Sequence, residues 1–478
     1  MNDNIGDYDM GIAEFMEKVG EKIPHPYVLI LGVMLLASVA TYVVPAGQYA
    51  RVEDPETGRM AVEPGSYEQV EQQPVGPGQI AMSFINGFIQ SANIIVLVFV
   101  AGGSIWTIRS TGAIKGGLAW AIERVGGTNK EYLILAGIPL FFGILGGTIG
   151  TYESVIVFIP ILVMLSLSLG YDAVVGLSLG LLGVAAGFAS APLNPFTVGI
   201  AQSIAGLPAF SGMWYRWIFW GVSMTVTIGY IIWYARRVKK DPSKSVVSDI
   251  DYSEYEMDED PTEIELTRRH KMVLAVFGIA IAYMIFGVIQ QGWWINEVAG
   301  LFFVLTWAAG LTYGYSLSET AEEFVKGLEF IAFAAVIVGV ARSIAVVMEQ
   351  GMIMDTVVRG LVTPLVGMPD IVAAALFVPV QTIINFFIPS GSGQALVTTP
   401  ITAPMADIIG IPRQVIVLAY QYGDGFSNMF LPTLGATMGM ISVADVPYDR
   451  WIAFAWKILV LQLIVGIISV SLAVVIGL

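Results

Sequence analysis

Four short stretches of this sequence place glycine, proline and small polar residues inside apolar surroundings. They are Gly147-Thr148-Ile149-Gly150-Thr151-Tyr152-Glu153, Ala191-Pro192-Leu193-Asn194-Pro195, Pro389-Ser390-Gly391-Ser392-Gly393-Gln394 and Gly423–Pro432. Proline and glycine at these points interrupt helical hydrogen bonding. In an apolar medium the freed N–H and C=O groups must meet other protein groups, water, an ion or a solute. Helix starts near Glu153-Ser154 and Gln394 would offer unpaired N–H groups and a positive dipole end, which suit a carboxylate. Helix ends offer carbonyls, which together with hydroxyl and amide oxygens suit Na⁺. On that chemistry the candidate solute contacts are Thr151, Glu153, Ser154, Asn194, Ser390, Ser392, Gln394, Asp424 and Asn428. The candidate cation ligands are Thr148, Thr151, Asn194, Ser392, Ser427, Asn428 and Thr433. The same small polar residues also serve close helix packing, so each single hydroxyl has a structural reading beside the functional one.

Two carboxylates fall in these stretches, Glu153 at a tip and Asp424 at a break. A carboxylate at membrane depth is costly and points to a solute or ion pathway. It could pair with a cationic amino group, bind Na⁺ or carry a coupling proton; Glu153 could equally act as a local helix cap. Arg342 lies in a neighbouring apolar run and could pair with one of these acids or snorkel. No Lys, Arg or His occurs in any of the four stretches. That disfavours a dianion held by direct basic contacts, although helix dipoles and bound Na⁺ could still hold one.

The medium follows from composition. Of 478 residues, 56% are hydrophobic and 13% charged, against roughly 25% charged in soluble domains. Apolar runs approaching the ~20 residues that span a bilayer recur along the chain. There is no cysteine, so disulfides and thiolate chemistry are excluded. The two histidines, His25 and His270, sit at the ends of apolar runs and read as interfacial, so neither a resident metal nor another cofactor is expected. The net charge of −15 is localised: 22 of 38 acids lie in the N-terminal tail, the loop 48–78 and the stretch 241–266. These read as solvated surface rather than as a partner site. No ATP-binding loop, nucleophile elbow or zinc-protease motif is present, and no nucleic-acid partner is expected.

The elements that must position the four stretches follow from run lengths. A cytoplasmic acidic tail (1–26) precedes a first membrane repeat, 27–237, containing spans at 27–44 and 93–109 and an interfacial piece, 113–125. Two segments of about 16 residues, within 131–169, reach only ~24 Å, short of the ~30 Å hydrocarbon core. They are expected to form a re-entrant hairpin, followed by a broken helix at 173–206 and a span at 216–234. An acidic linker, 238–271, leads to a second repeat, 272–478, with two extra spans, a hairpin at 371–409 and a broken helix at 414–443. Landmarks recur at nearly constant offset: Gly87 with Gly327, Gly112 with Gly351, Gly150 with Gly393, Gly187 with Gly425, and Arg216 with Arg450.

Lys and Arg set the orientation, because cytoplasmic loops carry an excess of them. With a cytoplasmic N-terminus, 16 of the 23 fall inside: Lys18, Lys22, Arg109, Lys115, Arg124, Lys130, eight between 236 and 271, Lys326 and Arg450. Only Arg51, Arg59, Arg359 and Arg413 fall outside. The two hairpins then enter from opposite faces, so the repeats are inverted, as one solute site opening alternately to both sides requires. The expected class is an all-α polytopic protein of the plasma (inner) membrane, a secondary transporter of a small organic solute. A channel would need a charged ring that is not evident, and an intramembrane enzyme would need a nucleophile–base pair.

Pro389-Ser390-Gly391-Ser392-Gly393-Gln394-Ala395 and Gly423-Asp424-Gly425-Phe426-Ser427-Asn428, followed by Leu431-Pro432-Thr433, resemble signatures of the anaerobic C4-dicarboxylate carrier (DcuC-like) group. Within it the chain is most similar to the YfcC-like branch, described as basic amino acid (arginine/ornithine-type) antiporters. The first-half tip and the Asn194-Pro195 break also fit, and the resemblance covers about residues 20–478. It implies the ion transporter superfamily, a homodimer, and a scaffold against which the hairpins and broken helices move as an elevator. The acidic insert around 241–266 is not part of that resemblance. The expected activity is antiport, or Na⁺- or H⁺-coupled transport, of amino acids including basic ones. The alternative is a C4-dicarboxylate or other carboxylate carrier coupled to Na⁺.

Overall fold

In the computed structural model the described residues are 26–53, 60–63, 65–117, 120, 130–252, 266–293 and 295–478. The acidic tail to residue 25 (His25 included), Arg59, Arg124 and residues 253–265 of the acidic stretch lie outside them. The chain enters through α1 (Pro26–Val43). The segment expected as a plain polar loop instead pairs short strands: β1 (Gly47–Gln48) with β4 (Glu68–Gln69), and β2 (Arg51–Glu53) with β3 (Met60–Val62), both antiparallel. Then follow α2 (Pro77–Gln90), α3 (Ala92–Ser110), α4 (Glu131–Thr148), a 3₁₀ turn (Glu153–Phe158), α5 (Ile159–Ser168) and α6 (Ala173–Ala189). A π turn (Pro195–Gly199) and α7 (Ile200–Ile204) lead into α8 (Met213–Lys240). After it come α9 (Arg268–Gln291), α10 (Ile295–Tyr313), α11 (Leu317–Gln350), α12 (Met354–Val362), α13 (Asp370–Phe387), α14 (Gly391–Ile409), α15 (Arg413–Ser427), α16 (Gly435–Val443) and α17 (Tyr448–Ile476).

Among the described residues seven helices are long and apolar enough to cross a membrane. Large apolar side chains such as Leu133, Ile279, Val304 and Val475 point outward, as lipid contact requires. Element lengths recur. α2 (14 residues) and α3 (19 residues), separated by Ser91, cover the same length as the unbroken 34-residue α11. Both α4 and α13 have 18 residues and an internal proline, Pro139 and Pro379. Each proline removes one backbone donor, and each turn is packed by a glycine of the following broken helix. A Cβ on Gly183 would lie 2.7 Å from the Pro139 Cα, and one on Gly423 2.6 Å from the Val378 carbonyl oxygen.

Helices α6 and α15 form the centre. Every residue of α6 is buried, and α15 is buried from Gln414 to Ser427. They cross so closely that a Cβ on Gly425 would stand 2.3 Å from the Ala189 Cα. Around this pair, α4, α5 and α8 pack on α6, while α13, α14 and α17 pack on α15; α11 packs against α1, α2, α3 and α16. The second break also differs from its expected limits. Gly423 to Ser427 are still helical, and the non-helical stretch is 428–434. The glycines that suggested unwinding serve close packing instead, so Asp424 sits in the last turn of α15, one turn before the break. The linker is not free along its whole length. Ser245 Oγ donates to Asp172 Oδ2 (2.6 Å), Arg450 pairs with Asp249 (3.1 Å), and Tyr252 donates to the Asp445 carbonyl (3.0 Å). His270 stacks on Tyr313 at the start of α9.

Candidate functional site

The ends of the interrupted helices leave backbone carbonyls without helical partners, and buried side chains supply new ones. The Phe188 carbonyl at the end of α6 accepts from Gln421 Nε2 of α15 (2.5 Å). The Asp424 carbonyl accepts from Asn385 Nδ2 of α13 (2.7 Å), which also reaches Ser427 Oγ (2.8 Å) and Asn428 Oδ1 (2.6 Å). Tyr152, in the first tip, donates to the Asn428 carbonyl (3.1 Å) in the second break and shares a hydrogen bond with Thr437 (2.8 Å). Tyr420 donates to the Gly391 carbonyl at the second tip (2.5 Å). These links hold tips and breaks together across the two halves of the sequence. They answer the demand that no backbone group be left unpaired at membrane depth.

The arrangement encloses a cavity of about 330 Å³. Glycine 150, at φ +77°, turns the first tip toward it; a Cβ there would strike Asn194 Oδ1 at 2.5 Å. Three of the four stretches line it directly, with Gly150, Tyr152 and Glu153, with Pro389 to Ser392, and with Asn428; Phe196 and Thr197, just after the second stretch, and Thr433 to Ala436, just after the fourth, complete the lining. Gln90, Ser91, Val338 and Arg342 close it from α2, α11 and the break between α2 and α3. Two helix starts open on the cavity, Ser390 to Ser392 of α14 and Leu434 to Ala436 of α16. Their free N–H groups and dipole ends favour a carboxylate, and Arg342 adds a full positive charge. Glu153, at the start of the 3₁₀ turn, supplies the negative one.

The candidate residues divide. Glu153, Ser390, Ser392 and Asn428 line the cavity, and so does Thr433, whose hydroxyl is buried without a partner among the described residues. Asn194 is fully buried beside Gly150, its Oδ1 accepting from Phe196 N (2.9 Å) and its Nδ2 unpaired among the described residues. Asp424 is fully buried one layer behind the second tip. Its Oδ2 lies 3.2 Å from the point a Cβ on Gly391 would occupy, and neither oxygen has a partner among the described residues. Ser427 is held by Asn385 and by its own helix, where its hydroxyl donates to the Gly423 carbonyl (2.7 Å).

Five residues are placed differently from expectation. Gln394 turns away from the cavity into its own hairpin, where Nε2 donates to Gln381 Oε1 (2.7 Å) and to the Gln381 carbonyl (2.9 Å). It lies in the first turn of α14 on the face toward α13, and that face is set by the hairpin. Thr151 and Ser154 line a small apolar crevice with Phe142, Ile149, Phe158 and Met284 on the other side of the tip. Thr148 is half-buried, and its hydroxyl is spent on the Ile144 carbonyl (2.6 Å). Arg342 pairs with neither Glu153 nor Asp424; it reaches Gln90 and Glu349. The site residues that sequence reasoning missed are Tyr152, which lies in the first tip; Asn385 and Gln421, whose signal was polarity inside apolar helices; and Thr197, whose buried hydroxyl is unpaired among the described residues and whose methyl packs on Gly391.

The family model described as the C4-dicarboxylate anaerobic carrier matches residues 23–475. The chain belongs to the C4-dicarboxylate anaerobic carrier family. It is 30% identical to the "Putative basic amino acid antiporter YfcC" of Escherichia coli, over 94% of this chain and 96% of that one. An uncharacterized protein of Haemophilus influenzae is also 30% identical, over 94% and 97%. Two solved transporter structures align along nearly the whole chain. They are Alcanivorax borkumensis YdaH (17% identity, 95% of this chain and 99% of that chain) and Neisseria gonorrhoeae MtrF (18%, 97% and 98%), each with a TM-score of 0.42. This member of the carrier family is therefore a multi-pass membrane transporter, and its buried tips and breaks are to be understood as parts of a transport protein. Among the described residues no group of three His, Cys, Asp or Glu side chains could hold a metal ion.

Proposed function

We propose that this carrier is a secondary active transporter, an antiporter or a Na⁺- or H⁺-coupled carrier, of amino acids that include basic ones such as arginine and ornithine. The observation that carries the reading is the polarity of the cavity. Its lining carries both signs: Arg342 and two helix starts suit a carboxylate, and Glu153 offers an acid for an ammonium or guanidinium. A zwitterion with a second positive charge meets both demands, whereas a dicarboxylate leaves Glu153 facing like charge. The name of the Escherichia coli relative points the same way. Asp424, together with Thr197, serves the coupling cation or proton behind the tip; its two unpartnered oxygens support that role.

The halves 27–237 and 272–478 act as inverted repeats with re-entrant hairpins, and the N-terminus is cytoplasmic in the inner membrane. The paired strands between α1 and α2 then face outward. The hairpins and broken helices move as an elevator against a scaffold built on α11, in a homodimer. The recurring element lengths support the repeats, and the excess of Lys and Arg on one side supports the orientation.

A second reading, a C4-dicarboxylate or other carboxylate coupled to Na⁺, is favoured by Arg342 in the cavity and by the family's description. Counterflow of labelled arginine, ornithine, aspartate and succinate into proteoliposomes loaded with the unlabelled solutes separates the two. Exchange of arginine or ornithine is expected. Uptake of succinate with neither basic amino acid contradicts the amino-acid reading.

A further inference from the structure

A second cavity, of about 450 Å³, lies beside the central one. Its polar lining is Gln48, Arg51, Asp355, Glu349, Arg342 and Ser390. Arg342 and Ser390 also line the central cavity, so they form the wall between the two. The guanidinium of Arg342 bridges that wall. Its Nε donates to Gln90 Oε1 (3.0 Å) on the central side, and one terminal nitrogen donates to Glu349 Oε1 (3.2 Å) on the other.

The remaining charges of the second cavity are committed to each other. Asp355 is buried; it accepts from Arg51 with both oxygens (3.0 and 3.1 Å) and from the Tyr49 N–H (2.9 Å). The Arg342–Glu349 pair differs. It is a single contact between side chains that are 31% and 43% exposed, and such pairs contribute little to stability. A guanidinium binds a carboxylate best through two parallel bonds. Arg342 makes one bond to a carboxylate and one to a neutral amide, so an incoming carboxylate with two free oxygens can displace Glu349 at small cost.

We propose that the second cavity is an entry station for a zwitterionic amino acid. The solute carboxylate takes Arg342 from Glu349, and the freed Glu349 carboxylate takes the solute ammonium. Arg342 then presents the carboxylate to the central cavity, whose wall it already forms. This deepens the amino-acid reading and rests on it.

The absence of cysteine makes the test direct. Met354 lines only the second cavity and Ile94 only the central one. Met354→Cys and Ile94→Cys, each purified in detergent, are labelled with a small charged thiol reagent while arginine is titrated. Arginine is expected to slow labelling at both positions. Adding Glu349→Gln is expected to raise the arginine concentration that protects Met354→Cys by about tenfold, the loss of one hydrogen bond to a charged group, while Ile94→Cys stays protected. Arg342→Lys, which keeps the charge but loses the fork, weakens protection at both. Protection of Ile94→Cys alone, or protection of Met354→Cys that Glu349→Gln does not change, overturns the entry station and leaves the amino-acid reading standing. Protection at neither position contradicts both.

Discussion

Replacing Asp424 with asparagine abolishes transport, or changes its coupling, and leaves the folded protein at least as stable as before. The reason is the isolation of this side chain. Asp424 is 0% exposed, and neither carboxylate oxygen has a hydrogen-bond partner among the described residues. Its backbone carbonyl, which Asn385 holds at 2.7 Å, is untouched by the substitution. A buried carboxylate without partners destabilises a fold, and a neutral isostere costs less. No contact among the described residues explains why an acid stands there, and the coupling role proposed for Asp424 supplies a reason. Under the proposed role the substitution leaves the coupling cation without its balancing charge, at a cost of about 3–5 kcal/mol, which corresponds to a fall of roughly 100-fold or more in rate. Counterflow and thermal unfolding of the same purified variant measure the two effects separately. Unchanged uptake with unchanged Na⁺ and pH dependence removes Asp424 from the mechanism.

Gly425→Val is expected to do the opposite, destroying stability and activity together. The broken helices α6 and α15 cross at this residue, and a Cβ would lie 2.3 Å from the Ala189 Cα and 2.9 Å from its nitrogen. Those are backbone atoms, which cannot swing aside as a side-chain terminus can. The neighbouring crossing is equally tight, since a Cβ on Gly187 would stand 2.1 Å from the Gly143 carbonyl oxygen. Small residues permit such approaches between membrane helices. Overpacking here costs about 3 kcal/mol or more and shifts the very helices that carry Asp424 and the Phe188 carbonyl. Gly221→Ala is the control, because nothing lies within 4 Å of its added Cβ. Thermal unfolding in detergent should show a large loss for Gly425→Val and none for Gly221→Ala. Equal melting of both variants contradicts the crossing.

Most of the architecture was legible because helices in lipid must satisfy their own backbone, which makes interruptions informative. Gly147–Glu153, Asn194-Pro195, Pro389–Gln394 and Gly423–Pro432 marked the four interruptions; the first, third and fourth reach one cavity, and Asn194 is buried beside Gly150 at its edge. The direction of individual side chains was not legible. Thr151 and Ser154 flank Glu153 in a non-helical tip and a 3₁₀ turn, where no regular period says which face looks inward. Gln394 appeared free because its partner, Gln381, is 13 positions away on the other arm of the hairpin.

Glycine carried two meanings that sequence cannot separate. At Gly150 it permits a positive φ, whereas at Gly423 and Gly425 it permits contact between helices. That ambiguity moved the second break from 423 to 428. The groups that repair the interrupted backbone, Tyr152, Asn385 and Gln421, act across 276, 39 and 233 positions, distances over which no local pattern extends. Arg342 was legible as a cation near the site, but its partners were not, because Gln90 lies 252 positions away and Glu349 falls outside the four stretches.

The central claim is that the solute sits between the two tips and the two breaks. A structure of the purified protein with bound arginine tests it most directly. The account predicts solute density in the 330 Å³ cavity, with its carboxylate toward Arg342 and the α14 and α16 helix starts and its side-chain cation toward Glu153. Saturating arginine with that cavity empty, and density elsewhere in the molecule, contradicts it.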